Sequence, residues 1–199
     1  MLLTGFNRRF SPFLQNIKKN ISSNSNPIII NYEMNAGYLP LENWVHSQEG
    51  GGRNIGEACH IYDLFTYLTD SKVVTINAQS IKPTTSYYSH KDNFIATMNF
   101  EDGSVATLTY TSLGSTKYPK EKMTIFTDGN VLELIDYKKL SITGHAAKSF
   151  KAKMVDKGQK KELEMFAKAI EQGGEWVIPL WQQAQAMEMA FKVEDSIND

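Results

Sequence analysis

A single cysteine, Cys59, in 199 residues excludes an internal disulfide and points to a reducing compartment. No run of about eighteen apolar residues occurs, so no segment is a candidate membrane span. The opening MLLTGFNRRF reaches Asn7, Arg8 and Arg9 too early to hold the apolar centre of a secretion signal, and a cytoplasmic protein is expected. Charge of one sign is also missing: 21 Lys and Arg against 22 Asp and Glu leave a net charge of −1, which excludes the basic footprint that nucleic acid or an anionic bilayer requires. The densest basic stretch, Lys148 to Lys161, is diluted by Asp156 and Glu162, has no interleaved aromatics and reads as a solvated loop entering a helix. No GxGxxG follows a strand and no GxSxG elbow is present, so the chain carries neither a dinucleotide fingerprint nor that hydrolase signature.

What is present is an ordinary globular composition, 41% hydrophobic and 22% charged, enough for one good-sized domain. A short apolar strand end precedes apolar residues at Phe10, Phe13, Leu14 and Ile17, spaced for a helix that stops in the Ser/Asn-rich run before Pro27. PIIINYEMN reads as a strand, and 35–52 as a loop with Pro40, Trp44, His46 and three glycines. A helix is predicted over 54–68, then strands in KVVTINAQSI, NFIATMNF, SVATLTYTSL, KMTIFTD and NVLELID, with Asp102-Gly103 and Asp128-Gly129 as hairpin turns. QKKELEMFAKAIEQ places Leu163, Phe166, Ala167 and Ile170 on one face of a helix, and Pro179 opens a last helix to about Ile197. This order predicts an α+β domain: an open, mostly antiparallel β-sheet with helices packed on one face. The other face, with Thr, Asn and Gln beside apolar residues, is expected to be solvated or to meet another subunit.

The stretch GGGRNIGEACHIYDLF concentrates the chemistry. On a helix at about 100° per residue, Ile55, Ala58, Cys59, Ile61, Tyr62, Phe65 and Leu68 fall on one side. Arg53, Gly56, Glu57, His60, Asp63 and Tyr67 fall on the other, with His60 near the middle. Cys59 is therefore expected to be a buried, inert thiol. Gly56, one turn before His60, leaves bare surface beside the imidazole, and three consecutive glycines suit a loop passing close to another backbone or a ligand. Glu57 and His60 form Glu-x-x-His, but no second copy exists, and His46, His90 and His145 stand at no ligand spacing, so no metal is expected. There remains a histidine as general acid or base on a small polar substrate, with Asp63 or Glu57 able to orient its ring. Deprotonation of an alcohol losing hydride suits such a histidine, and that reaction needs an acceptor no side chain supplies.

GFNRRFSP, AGYLPLENWVHSQEGGGRNIGEACHIYDLFTYL, PKEKMTIFTDGNVLEL and DKGQKKELEMFAKAI together resemble, in collinear order over nearly the whole chain, the C-terminal part of the Gfo/Idh/MocA (glucose-fructose oxidoreductase and inositol dehydrogenase) family. The resemblance implies a dihydrodipicolinate-reductase-like C-terminal domain. Family members carry an N-terminal Rossmann domain for NAD or NADP, then a domain whose open sheet bears the substrate site and builds dimers or tetramers. By position His60 corresponds to the family's histidine, which acts with a lysine of the Rossmann half. Many relatives have Asp where this chain has Gly56, and Glu57 is the candidate substitute. Neither GxGxxG nor the family's Glu-Lys-Pro is found here, so the resemblance is to the portion C-terminal to the cofactor domain, with no cofactor expected on this chain.

The resemblance divides the chain into a linker segment and helix over 1–26 and an α+β substrate-binding and oligomerisation domain over 27–199. It implies a sugar-type substrate and a homodimer or tetramer through the open sheet face. His60, Glu57 and Asp63 are the candidate catalytic residues, and Arg53, Gly56 and Lys117 the candidate substrate contacts. The alternative is a catalytically silent binding or assembly module derived from the same domain.

Overall fold

A computed structural model describes residues 2–22, 25–144 and 149–198; His145 and Lys148 lie outside the described residues. Ser11 caps the first helix, α1 (Pro12–Ile21), by accepting from the Phe13 amide, and Pro12 supplies the preset backbone angle of a first turn. Phe13, Leu14, Ile17 and Ile21 are its buried stripe, while Phe10 belongs to a 3₁₀ turn before it, Asn7–Phe10. Phe6, Phe10 and α1 join the same core as everything after residue 27. No strand forms over residues 2–6, where a strand end was expected.

Among the described residues eight strands make one sheet: β1 (Ile29–Asn35), β2 (Val73–Ser80), β3 (Phe94–Phe100), β4 (Val105–Thr111), β5 (Glu121–Thr127), β6 (Asn130–Ile135), β7 (Lys139–Thr143) and β8 (Phe150–Lys151). Their order is β2-β3-β4-β1-β5-β6-β7-β8, with β1 parallel to β4 and the other pairings antiparallel. Two of these, β7 and β8, lie beyond the expected set. The β6–β7 hairpin turns through Asp136 and Tyr137, both at positive φ (50° and 53°), a turn with no glycine to announce it. Tyr137 is fully buried, and its packing stabilises a backbone conformation that a bulky side chain ordinarily avoids.

Alternate residues of each central strand, Ile30, Tyr32 and Met34 on β1 and Ala106, Leu108 and Tyr110 on β4, enter the core. Against them lie α2 (Cys59–Thr69) and α4 (Leu180–Asn198), which contributes Met189, Ala190, Val193 and Ile197. The opposite face carries a row of Thr97, Thr107, Asn31 and Thr124, paired strand to strand, with the Thr107 hydroxyl donating to Asn31 at 2.8 Å. Beside it Ile29 and Phe126 remain exposed. The last helix but one, α3 (Gln159–Gln172), follows its expected span, but Leu163 and Ile170 face out, and only Glu162 is buried.

Candidate active site

The three glycines have a backbone explanation. A Cβ on Gly50 would lie 2.3 Å from the Trp44 carbonyl oxygen and 2.7 Å from the Val45 Cα. Gly51 and Gly52 take φ of 69° and 77°, which side chains disfavour. Gly56 is different: its nearest neighbour to an added Cβ is the Gly50 carbonyl at 3.6 Å. Gly50→Ala is therefore expected to destabilise by about 1–3 kcal/mol through overpacking against fixed backbone. Gly56→Ala is expected to be neutral or to stabilise by up to ~1 kcal/mol. Urea unfolding of both variants checks the contrast.

The helix begins at Gly52 and passes through a π-turn, Asn54–Ala58, before becoming α2, with the Cys59 amide donating to the Asn54 carbonyl. Such turns are frequent at functional sites. They also add a residue to one turn, so a single 100° projection cannot hold its phase from Arg53 to Leu68. Cys59 is buried as expected, and burial pushes its thiol up to about 11. Asp63, expected on the open strip, is instead fully buried, because α2 is packed on nearly every side. Its two oxygens accept from Arg9 at 3.0 and 2.5 Å, and Arg9 also donates to Gln182. Asp63 is thus committed to joining the Asn7–Phe10 turn to α2 and does not orient His60.

Arg53 is corrected in the same way. Its guanidinium is buried and donates to the carbonyls of Gly37 and Ala36 at 2.6 and 3.0 Å and to Glu57 at 3.3 Å, so it ties down the chain leaving β1. Glu57 accepts from the Tyr110 hydroxyl at 2.5 Å and from Lys120 at 3.0 Å. Burial opposes its charge, but these donors outweigh it and hold the carboxyl down to about 2. Lys117 is exposed, with its backbone amide bound to Ser115; Lys120 is the lysine of that loop that reaches the site.

The charges of Arg8, Glu57, Glu121 and Lys157 all act on His60. Glu57 has the three donors just named. Buried Glu121 accepts from Arg8 at 3.1 Å, from Tyr32 at 2.5 Å and from Lys157. Phe6 meets the imidazole edge-on, with ring centroids 5.7 Å apart. Burial, then the Arg8 charge, lower the His60 pKa to about 4, so the ring is neutral at physiological pH. Its Nδ1 is buried with no hydrogen-bond partner among the described residues. A neutral, half-buried imidazole flanked by fixed charges can exchange a proton with a bound hydroxyl. Arg8, Glu121, Tyr110, Lys120 and Lys157 were given no role from sequence, because they come from segments far apart along the chain; GFNRRF, PKEK and DKGQ held four of them without distinguishing them.

The glycine turn comes after β1 only by way of a long loop, and the amides of Gly50 and Gly51 already donate to Ser47, each at 3.1 Å. Among the described residues no group of three or more His, Cys, Asp or Glu side chains could hold a metal ion, and no helix is long and apolar enough to cross a membrane.

The family model described as the GFO/IDH/MocA C-terminal domain matches residues 26–133. No curated protein sequence matches the chain. Among solved structures, UDP-N-acetylglucosamine 3-dehydrogenase from Acidithiobacillus ferrooxidans superposes with a TM-score of 0.76 at 19% identity, covering 97% of this chain and 60% of that one. A levoglucosan dehydrogenase in complex with NADH and levoglucosan gives 0.75 at 17% identity, covering 98% and 63%. A dehydrogenase from Chromobacterium violaceum gives 0.74 at 16% identity, covering 98% and 60%. The chain thus spans about three-fifths of the length of these structures, and the likeness is one of fold.

Proposed function

This chain belongs to the Gfo/Idh/MocA family through its C-terminal domain, and from that premise we propose that it is the substrate-binding and oligomerisation domain of an NAD(P)-dependent oxidoreductase acting on a sugar or sugar derivative. The observation that carries the reading is His60: a neutral, half-buried ring in the field of Arg8, Glu57, Glu121 and Lys157. It would take the proton of a substrate hydroxyl, while Glu57 and Glu121 fix the field around it and Lys120 and Lys157 balance their charge. Arg53 acts as a positioning residue through Glu57.

The hydride acceptor belongs to another domain, on this polypeptide or a partner. Leu163 and Ile170, two turns apart on α3, are left exposed by the described residues, as are Trp176 and Leu180 after it. On the same helix the buried Glu162 has an oxygen without a partner among the described residues. Both features suit a covering domain. The open sheet face, with Ile29 and Phe126 beside its Thr and Asn ladder, suits a second copy of the chain.

The test tracks the carbon-bound imidazole proton of His60 by NMR while sugars and sugar alcohols are added, alongside calorimetric titration with NADH and NADPH. The expected result is a sugar-dependent shift of the His60 signal, with no dinucleotide binding. A dissociation constant below about 10 μM for either dinucleotide would overturn the domain assignment. A sugar that binds without moving His60 would favour the silent assembly module, a reading to which the commitment of Arg53 to backbone lends some support. Light scattering should give a mass two or four times the 22.5 kDa of one chain.

A further inference from the structure

The two carboxylates that act on His60 are held in the same way. Glu57 accepts from Arg53, Lys120 and Tyr110, and Glu121 accepts from Arg8, Lys157 and Tyr32. One guanidinium, one ammonium and one phenol thus share each carboxylate. Lys120 and Lys157 alone would balance the two acids, so with Arg53 and Arg8 on the same carboxylates a surplus of positive charge stands beside the histidine. We propose that this surplus selects an acidic sugar, one carrying a carboxylate or phosphate group, as the substrate handled at His60. The proposal rests on the reading of His60 as the acid or base of a sugar site.

Burial decides which cations are left over. The side chains of Arg8 and Arg53 are 7% and 4% exposed, and a guanidinium taken out of water must keep a carboxylate. Lys120 and Lys157 stand at the surface, 48% and 25% exposed. An ammonium group has three hydrogens, and a contact with one carboxylate leaves others free to meet an anion from solvent without an enclosing cavity. Two further acids, Asp136 and Asp156, accept from the backbone amides of Glu121 and Gly158; among the described residues neither forms an ion pair with Lys120 or Lys157.

The two clusters also meet. Lys120 and Glu121 are consecutive at the start of β5, so the Lys120–Glu57 and Glu121–Lys157 pairs are joined through one peptide unit. The field gives an anion a part in the chemistry as well. Arg8 and Lys157 both lower the basicity of His60, and a base works best with its pKa near the working pH. An anion bound there offsets those cations and raises the imidazole toward that range. A neutral sugar leaves it a weak base.

The experiment titrates the 199-residue chain with glucose, glucuronate, glucose 6-phosphate and inorganic phosphate, following the carbon-bound imidazole proton of His60 by NMR. The expected result is that glucuronate or glucose 6-phosphate shifts this signal with a dissociation constant at least about tenfold below that of glucose. The two charged sugars separate a carboxylate from a phosphate. The preference should shrink at least about threefold between about 50 and 500 mM salt. Saturation with the preferred sugar should raise the imidazole pKa from about 4 to roughly 5, and glucose should not. Lys120→Met and Lys157→Met should each cut the preference at least about threefold. Lys120 makes no contact with Glu121, so its variant keeps the test open if Lys157→Met fails to fold. Glucose binding as tightly as the charged sugars, or a preference that survives both variants, would overturn the proposal and leave the His60 reading standing. Inorganic phosphate that binds as tightly as glucose 6-phosphate without moving His60 would mean that the lysines attract any anion, and would overturn it too. If no sugar moves His60, the proposal and the reading fall together.

Discussion

Glu121→Ala is expected to lower the unfolding free energy by about 3–5 kcal/mol, because it leaves the buried Arg8 guanidinium without its carboxylate. Tyr32 loses an acceptor in the same step, as does Lys157. Replacing Arg8 and Glu121 together by methionine should restore much of the loss, since two apolar side chains pack where two uncompensated charges could not. The pH dependence supplies a second readout. Burial opposes the Glu121 charge, but Arg8 and then Lys157 hold its carboxyl below the ordinary carboxylate range. A depressed acid contributes stability above its unfolded pKa and loses it as pH falls through the folded one, so the parent should weaken below about pH 4 and the gap to Glu121→Ala should narrow there. Urea unfolding at pH 7 and pH 3 measures both. A loss under about 1 kcal/mol at pH 7 would mean that the charges are solvated and the cluster is not a fixed part of the site.

The parts of the fold legible in the sequence are those with local causes. Alternation gave the central strands, Asp102-Gly103 and Asp128-Gly129 their turns, and Ser11-Pro12 the start of α1. Strand β7 was hidden because its hairpin uses Asp136 and Tyr137, and the signal that permits them, burial of the tyrosine ring beside Tyr32, is a tertiary one. The site shows the same division. His60 and Glu57 could be found from a helical projection. The fates of Asp63 and Arg53 could not, because the π-turn shifts the phase between them and because their partners, Arg9 and the Gly37 carbonyl, approach from elements whose packing no local period encodes.

His60 should make the domain acid-sensitive in a window of its own. Burial first, and the Arg8 charge second, lower its pKa from 6.5 to about 4. Between those values the unfolded chain takes up a proton that the folded ring refuses, so the histidine subtracts stability as pH falls from about 6.5 to 4, by up to ~3 kcal/mol. Below about pH 4 the folded ring also protonates and the loss levels off. His60→Gln removes this slope, so the difference between parent and variant should open through that window and be flat above it. The subtraction matters because Glu162, raised to about 7 mainly by burial, works in the opposite direction: its folded form prefers the proton, so it adds stability as pH falls from about 7. The two trends overlap in the parent, and only the variant pair separates them. Titrating the imidazole by NMR gives the pKa directly, and Arg8→Met should raise it by removing the second cause. A value near 6.5 in the parent would mean that the ring is solvated, and with it would go the neutral, charge-flanked base on which the catalytic reading depends.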